Sequence, residues 1–134
     1  MNAAADNVEV RVQISRAEDV VQARQHGRAL ATDIGFSASE ATLIAAAISE
    51  LARNIVKYAG RGEIVLRCEG DGTLRMIARD DGPGIPDTQA ALRPGYSTSG
   101  GLGLGLPGVR RISDYFEIVS TAKGTTVTLE KWKR

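Results

Sequence analysis

The chain has 134 residues, 43% hydrophobic and 25% charged, which suits one soluble globular domain with a real core, spanning 1–134. Lys plus Arg number 17 against 16 Asp plus Glu, a net charge of +1; that balance gives no electrostatic case for nucleic acid or an anionic membrane as partner. A single cysteine, Cys68, excludes an intrachain disulfide and a cysteine-based metal site. No apolar run approaches the ~20 residues of a membrane span, and no basic-then-apolar start marks a secretory signal. The expected location is cytoplasmic.

Val8, Val10, Val12 and Ile14 alternate with Glu9, Arg11 and Gln13, which predicts a strand with one buried face. Ser15 followed by Glu18 reads as a capping box opening a helix to about Ile34, ended by Gly35. Ser37 with Glu40 is a second such box and starts an Ala-rich helix from about Ala38 to Tyr58. After Gly60 and Gly62, Ile64, Leu66 and Cys68 predict a second strand, expected to bury an inert thiol. Gly70-Asp71-Gly72 is a tight turn into a third strand with Leu74, Met76 and Ala78. From Asp80 to about Gly105 the chain is rich in Gly, Pro, Ser and Thr without a period, the mark of a functional loop. A helix is expected from Pro107 to about Tyr115, then a hairpin of residues 118–121 and 126–129 around Lys123-Gly124. Paired strands joined by tight turns argue for an α+β fold with a mostly antiparallel sheet and its helices on one face. There is no internal repeat and no low-complexity segment.

Three stretches could carry chemistry. Glu50 and Asn54 are four apart on the second helix, so they share a face. They form either a base-and-metal pair at the edge of a buried face or two solvated polar residues. Asp80-Asp81-Gly82-Pro83-Gly84 ends the third strand. Its first carboxylate can accept from an exocyclic amine such as adenine N6, and the glycines permit close approach of a flat ring; a plain turn has the same composition. Gly100-Gly101-Leu102-Gly103-Leu104-Gly105 leads into a helix and would present backbone N–H groups to phosphate. Residues 103–108 match GxGxxG, but no strand precedes them, so a dinucleotide fold is excluded. His26 has no evident partner and is expected to be a surface or half-buried structural residue, Arg53 is expected to face outward, and Tyr58 is expected to pack in the core or at the helix end. Lys57, near Asn54, either reaches a phosphate or is solvated.

Taken in order, Glu50-x3-Asn54, Asp80-x-Gly82-x-Gly84, Gly101-x-Gly103-x-Gly105 and Gly124-Thr125-Thr126 resemble the GHKL ATPase/kinase superfamily. The helix motif from Glu50 to Gly60 and the loop from Ser97 to Gly108 are similar to the RsbT-type serine/threonine switch kinases. The resemblance implies the Bergerat fold, a two-layer α/β sandwich with a mostly antiparallel mixed sheet. It implies ATP and Mg²⁺ as cofactors and phosphorylation of a STAS-domain antagonist in bacterial partner switching, of the stressosome type. A PP2C-type phosphatase or a sigma factor is implied as a further partner. Glu50 would be the catalytic base and Asn54 the Mg²⁺ ligand. Asp80 would read the adenine amine, with Gly82, Gly84 and Ile85 shaping the pocket. Lys57, Gly101, Leu102, Gly103, Leu104 and Gly105 would serve the phosphates, residues 86–100 the lid, and Thr126 the adenine side through a water beside Asp80. The alternative is an anti-sigma factor or a non-catalytic ATP-loaded binding module. Against the anti-sigma version, Ile55 follows Asn54 and Lys57 stands near the place of that version's histidine. The phosphoacceptor domain of histidine kinases and the clamp domains of the mechanical ATPases are not part of this sequence, so the acceptor is expected in trans.

Overall fold

A computed structural model of the chain describes residues 8–70, 72–85, 87, 91–92 and 105–133. Strand β1 (Glu9–Ile14) is followed by helices α1 (Ala17–Ile34) and α2 (Ala38–Asn54), and α2 continues into a widened π-helical turn, Ile55–Ala59. Strands β2 (Gly62–Glu69) and β3 (Thr73–Asp80) come next, then helix α3 (Gly105–Ile112) and strands β4 (Tyr115–Thr121) and β5 (Gly124–Trp132). The predicted order of elements is therefore the observed one. Several bounds move: α3 begins at Gly105, ahead of Pro107, and ends before Tyr115, which instead begins β4, and both strands of the last hairpin are longer than expected.

The five strands form one sheet in the order β1-β2-β3-β5-β4. Every neighbouring pair is antiparallel, so among the described residues the sheet carries no parallel component. Alternation sorts its two faces. Ile64, Leu66, Leu74, Met76 and Leu129 are fully buried on the inner face, where they join Ile44, Ile48 and Leu51 of α2 in the core. Cys68 is buried there as expected. The outer face carries a lattice of ion pairs, among them Arg67–Glu9 at 2.7 Å and Arg11–Glu63 at 3.1 Å. Each such exposed pair is worth only ~0–1 kcal/mol.

Helix α1 opens one residue later than predicted. Asp19, not Glu18, closes the box: its carboxylate accepts from the Ser15 N–H at 2.9 Å and the Arg16 N–H at 3.0 Å. These bonds hold the Asp19 carboxyl below the usual carboxylate range, the Ser15 N–H being the largest cause. Gly35, with φ +109°, ends α1 as predicted. Gly27 sits in mid-helix because α1 and α2 touch there: a Cβ at that position would overlap the Cδ1 of Ile48. In α2, Ser37 accepts from the Glu40 N–H at 3.1 Å. Its C-terminal end departs from the expected α-helix, since the Gly60 N–H reaches back five residues to the Ile55 carbonyl. Among the described residues no helix is long and apolar enough to cross a membrane.

Candidate functional site

The site lies where the C-terminal half of α2, the end of β3 and the start of β5 converge under α3. Its walls are apolar, built from Leu51, Ile55, Ala78, Leu106 and Val127. Its polar groups are few: Asn54, Tyr58, Asp80 and Thr125. That mixture, flat apolar walls with a handful of placed polar atoms, is the ordinary make-up of a small-molecule site. The free space at its floor is only about 30 Å³, room for a water or two. A larger guest requires the walls to part.

Asp80 is the last residue of β3 and sits opposite Thr125 of β5. Its Oδ1 accepts from the Gly82 N–H at 2.9 Å and the Thr125 N–H at 3.3 Å. Two backbone donors orient the carboxylate and leave Oδ2 for a guest. Gly84 (φ +84°) folds the following loop back onto β4, where a Cβ would collide with the Thr121 carbonyl. The Ile85 N–H then donates to Ser120 Oγ at 2.6 Å. Gly82 lies against Ala59 of the widened turn, with no room for a Cβ. A second, open groove of about 730 Å³ lies on the far side of Asp80, lined by polar residues including Glu63, Arg79 and Asp81.

Glu50 is buried, 4% exposed, which excludes the reading of Glu50 and Asn54 as two solvated residues. Its Oε1 accepts from the Gly105 N–H at 2.7 Å, and its Oε2 stands 3.8 Å from Arg53 Nε. Gly105 has φ +68° and is the first residue of α3, so a carboxylate from α2 sits at the positive end of that helix. Asn54, one turn on from Glu50, is half-buried and lines the cleft.

Of the predicted site residues, Asn54, Asp80, Gly84 and Ile85 line the cleft together, and Glu50 and Gly105 meet beside it. Gly101, Leu102, Gly103 and Leu104, with most of the expected lid, lie outside the described residues. Lys57 is exposed and is not part of the cleft wall; its ammonium lies 5.0 Å from the Tyr58 ring centroid. Thr126, expected on the adenine side, is not among the residues that line the cleft. It pairs with Arg79 on the outer face of the sheet, whereas Thr125 pairs with Asp80 on the inner face. The alternation that puts Val127 and Leu129 inside puts 125 there as well, so the signal was in the strand. Tyr58, in the last turn of the helix and 42% exposed, is not in the core; it lines the cleft. His26 and Arg53 are exposed, as expected. Ser120 was not anticipated, because nothing in the sequence marks a strand serine as a loop anchor.

A nucleotide suits these residues. An oriented carboxylate on the floor accepts from an exocyclic amine, apolar walls flank a flat ring, and glycines bring backbone close. Among the described residues no three His, Cys, Asp or Glu side chains come together as a metal site. A Mg²⁺ ion would therefore rely on phosphate oxygens and waters, with the Asn54 carboxamide as a hard oxygen ligand from the protein.

Residues 14–131 match the family described as the histidine kinase-like ATPase domain. The chain is 48% identical over 127 residues to the serine/threonine-protein kinase RsbT of Bacillus subtilis, covering 92% of this chain and 96% of that one. Among solved structures, it is similar to the RsbU and RsbW domains of a Mycobacterium tuberculosis protein, with a TM-score of 0.68 and 20% identity over 93% of this chain and 32% of that one. A blue-light activated histidine kinase from Erythrobacter litoralis gives 0.55 through its histidine kinase domain, with 20% identity over 80% of this chain and 63% of that one. At that identity the two structures speak to the fold alone. The family match spans nearly the whole chain, and the sandwich of an antiparallel sheet with helices on one face agrees with it: the chain belongs to the histidine kinase-like ATPase family.

Proposed function

We propose that this chain is an ATP-dependent protein serine/threonine kinase that phosphorylates a STAS-domain antagonist in a partner-switching pathway. The observation that carries the reading is the burial of Glu50 against the Gly105 N–H, one helical turn from Asn54 at the cleft. A carboxylate held at a helix start beside a nucleotide cleft is placed to take a proton where phosphate charge is being handled. The 48% identity to a protein named as a serine/threonine kinase supports the same class.

In the proposed reaction, Asp80 Oδ2 accepts from the adenine amine and the apolar walls hold the ring. The acceptor serine or threonine oxygen bonds to the γ-phosphorus as the bond from that phosphorus to the ADP oxygen breaks. The hydroxyl proton passes to the Glu50 carboxylate, and ADP leaves with the bridging oxygen and its electron pair. Mg²⁺, held by Asn54 and the phosphates, would supply charge neutralisation. The N–H groups at the start of α3 would add partial positive charge beside it.

The test is to incubate the chain with γ-labelled ATP, Mg²⁺ and a STAS-domain protein. Label is expected in an acid-stable, base-labile serine or threonine ester on the partner. ATP binding without any ester would instead identify a non-catalytic ATP-loaded binding module.

A further inference from the structure

Three inner-face residues stand side by side across the sheet at the floor of the cleft. Asp80 pairs with Thr125 across β3 and β5, and Thr125 pairs with Ser120 across β5 and β4. Their polar atoms form a chain. The Ile85 N–H donates to Ser120 Oγ at 2.6 Å, Ser120 Oγ lies 2.7 Å from Thr125 Oγ1, and the Thr125 N–H donates to Asp80 Oδ1. From this chain we infer that Ser120 is a positioning residue for nucleobase recognition. It anchors the loop beyond Gly84 and fixes the Thr125 hydroxyl as a hydrogen-bond donor into the cleft. The inference rests on the reading of that cleft as a nucleotide site.

The direction of the hydroxyl pair decides the matter. Both hydroxyls can donate and accept. Ser120 Oγ already accepts from the Ile85 N–H, and its proton is assigned to Thr125 Oγ1, 2.7 Å away. Were Thr125 to donate to Ser120, only its lone pairs would face the cleft, and two acceptors, Thr125 and Asp80, would stand side by side there. With Ser120 donating, its proton is satisfied and the Thr125 proton turns into the cleft that Thr125 lines, where water or a guest receives it. The floor then presents an acceptor, Asp80, beside a donor, Thr125. Adenine offers the matching edge: its N6 amine donates, and its N1 accepts directly or through one water. Hypoxanthine and guanine offer the reverse, a carbonyl acceptor and an N1–H donor, and leave both protein groups mismatched. Sites built on such buried pairing discriminate strongly.

The test measures ATP and ITP affinities of the full chain by calorimetry, with thermal stability measured alongside. Ser120→Ala frees the Thr125 rotor and should raise Kd for ATP about tenfold while changing ITP much less, so the ATP-to-ITP preference narrows about tenfold. Ser120→Thr keeps the hydroxyl on a β-branched residue suited to a strand and should hold the preference within about threefold of wild type. An unchanged preference in Ser120→Ala overturns the inference, whether or not its Tm falls. An equal loss of ATP and ITP binding in both variants also overturns it, since that pattern marks a merely structural serine. Wild-type chain that binds no ATP overturns the nucleotide reading and this inference together, whereas wild-type binding with an unchanged preference in Ser120→Ala removes this inference alone.

Discussion

Glu50 Oε1 accepts the Gly105 N–H at 2.7 Å, so the residue proposed as the base also holds down the first residue of α3. Leu106, the next residue, forms part of the cleft wall, and the cleft floor has only about 30 Å³ of free space. Opening for a nucleotide and release of that bond are therefore expected together. Hydrogen exchange at the Gly105 amide, followed with and without Mg·ATP, should change on binding more than exchange at the Met76 amide in mid-sheet. Glu50→Ala should lower stability by about 1–3 kcal/mol by orphaning a buried donor, read from urea unfolding.

The one-residue difference at the start of β5 separates two neighbouring threonines. Thr125→Val keeps shape and removes a hydroxyl from the cleft, and should weaken ATP binding about tenfold. Thr126→Val alters the outer face and should leave ATP affinity within about twofold. Asp80→Asn should cost more than either, about 10–100-fold, because a charge-assisted acceptor is lost. Calorimetric titration of the three variants checks the order.

Gly27 is set by packing rather than by turn geometry. Alanine would gain about 0.5–1 kcal/mol of helix propensity, but its Cβ would overlap Ile48 Cδ1, and such overpacking costs about 1–3 kcal/mol. Gly27→Ala should be net destabilising, and Ile48→Val, which removes that methyl, should recover part of the loss in the double variant. Urea midpoints of the two single variants and the double variant measure the coupling.

Asp19 gives a pH signature. Its folded pKa is lowered, chiefly by the Ser15 N–H, so its contribution is present above the unfolded carboxylate value of about 3.9 and is lost as pH falls through the folded value. Asp19→Asn should therefore lower Tm at pH 7, and the difference from wild type should shrink steadily below about pH 4. Thermal melts across that range check the sign.

The elements were legible because their signals are local: alternation in β1, β2 and β3, glycine at the end of α1, and Ser37 at the start of α2. The strand order was less so, since β5 enters between β3 and β4 through pairings far apart in the chain. Glu18 and Asp19 are adjacent carboxylates, and only the phase of the first turn tells which one folds back. Tyr58 reaches the cleft rim on a widened turn that composition does not mark. Glu50, Asn54 and Asp80 stand out in the sequence as polar residues beside apolar runs, and the structure places them in or beside one cleft, whereas the Ser120–Thr125 contact arises from strand register.

Glu50 carries the central claim, and Glu50→Gln isolates it, because a carboxamide oxygen still accepts from Gly105 while losing the base. The measurement is single-turnover phosphoryl transfer to a STAS-domain partner at saturating Mg·ATP, with ATP affinity determined on the same protein. The account predicts transfer slowed by about 10²–10⁴-fold with ATP affinity within about threefold of wild type. Transfer at the wild-type rate would contradict it.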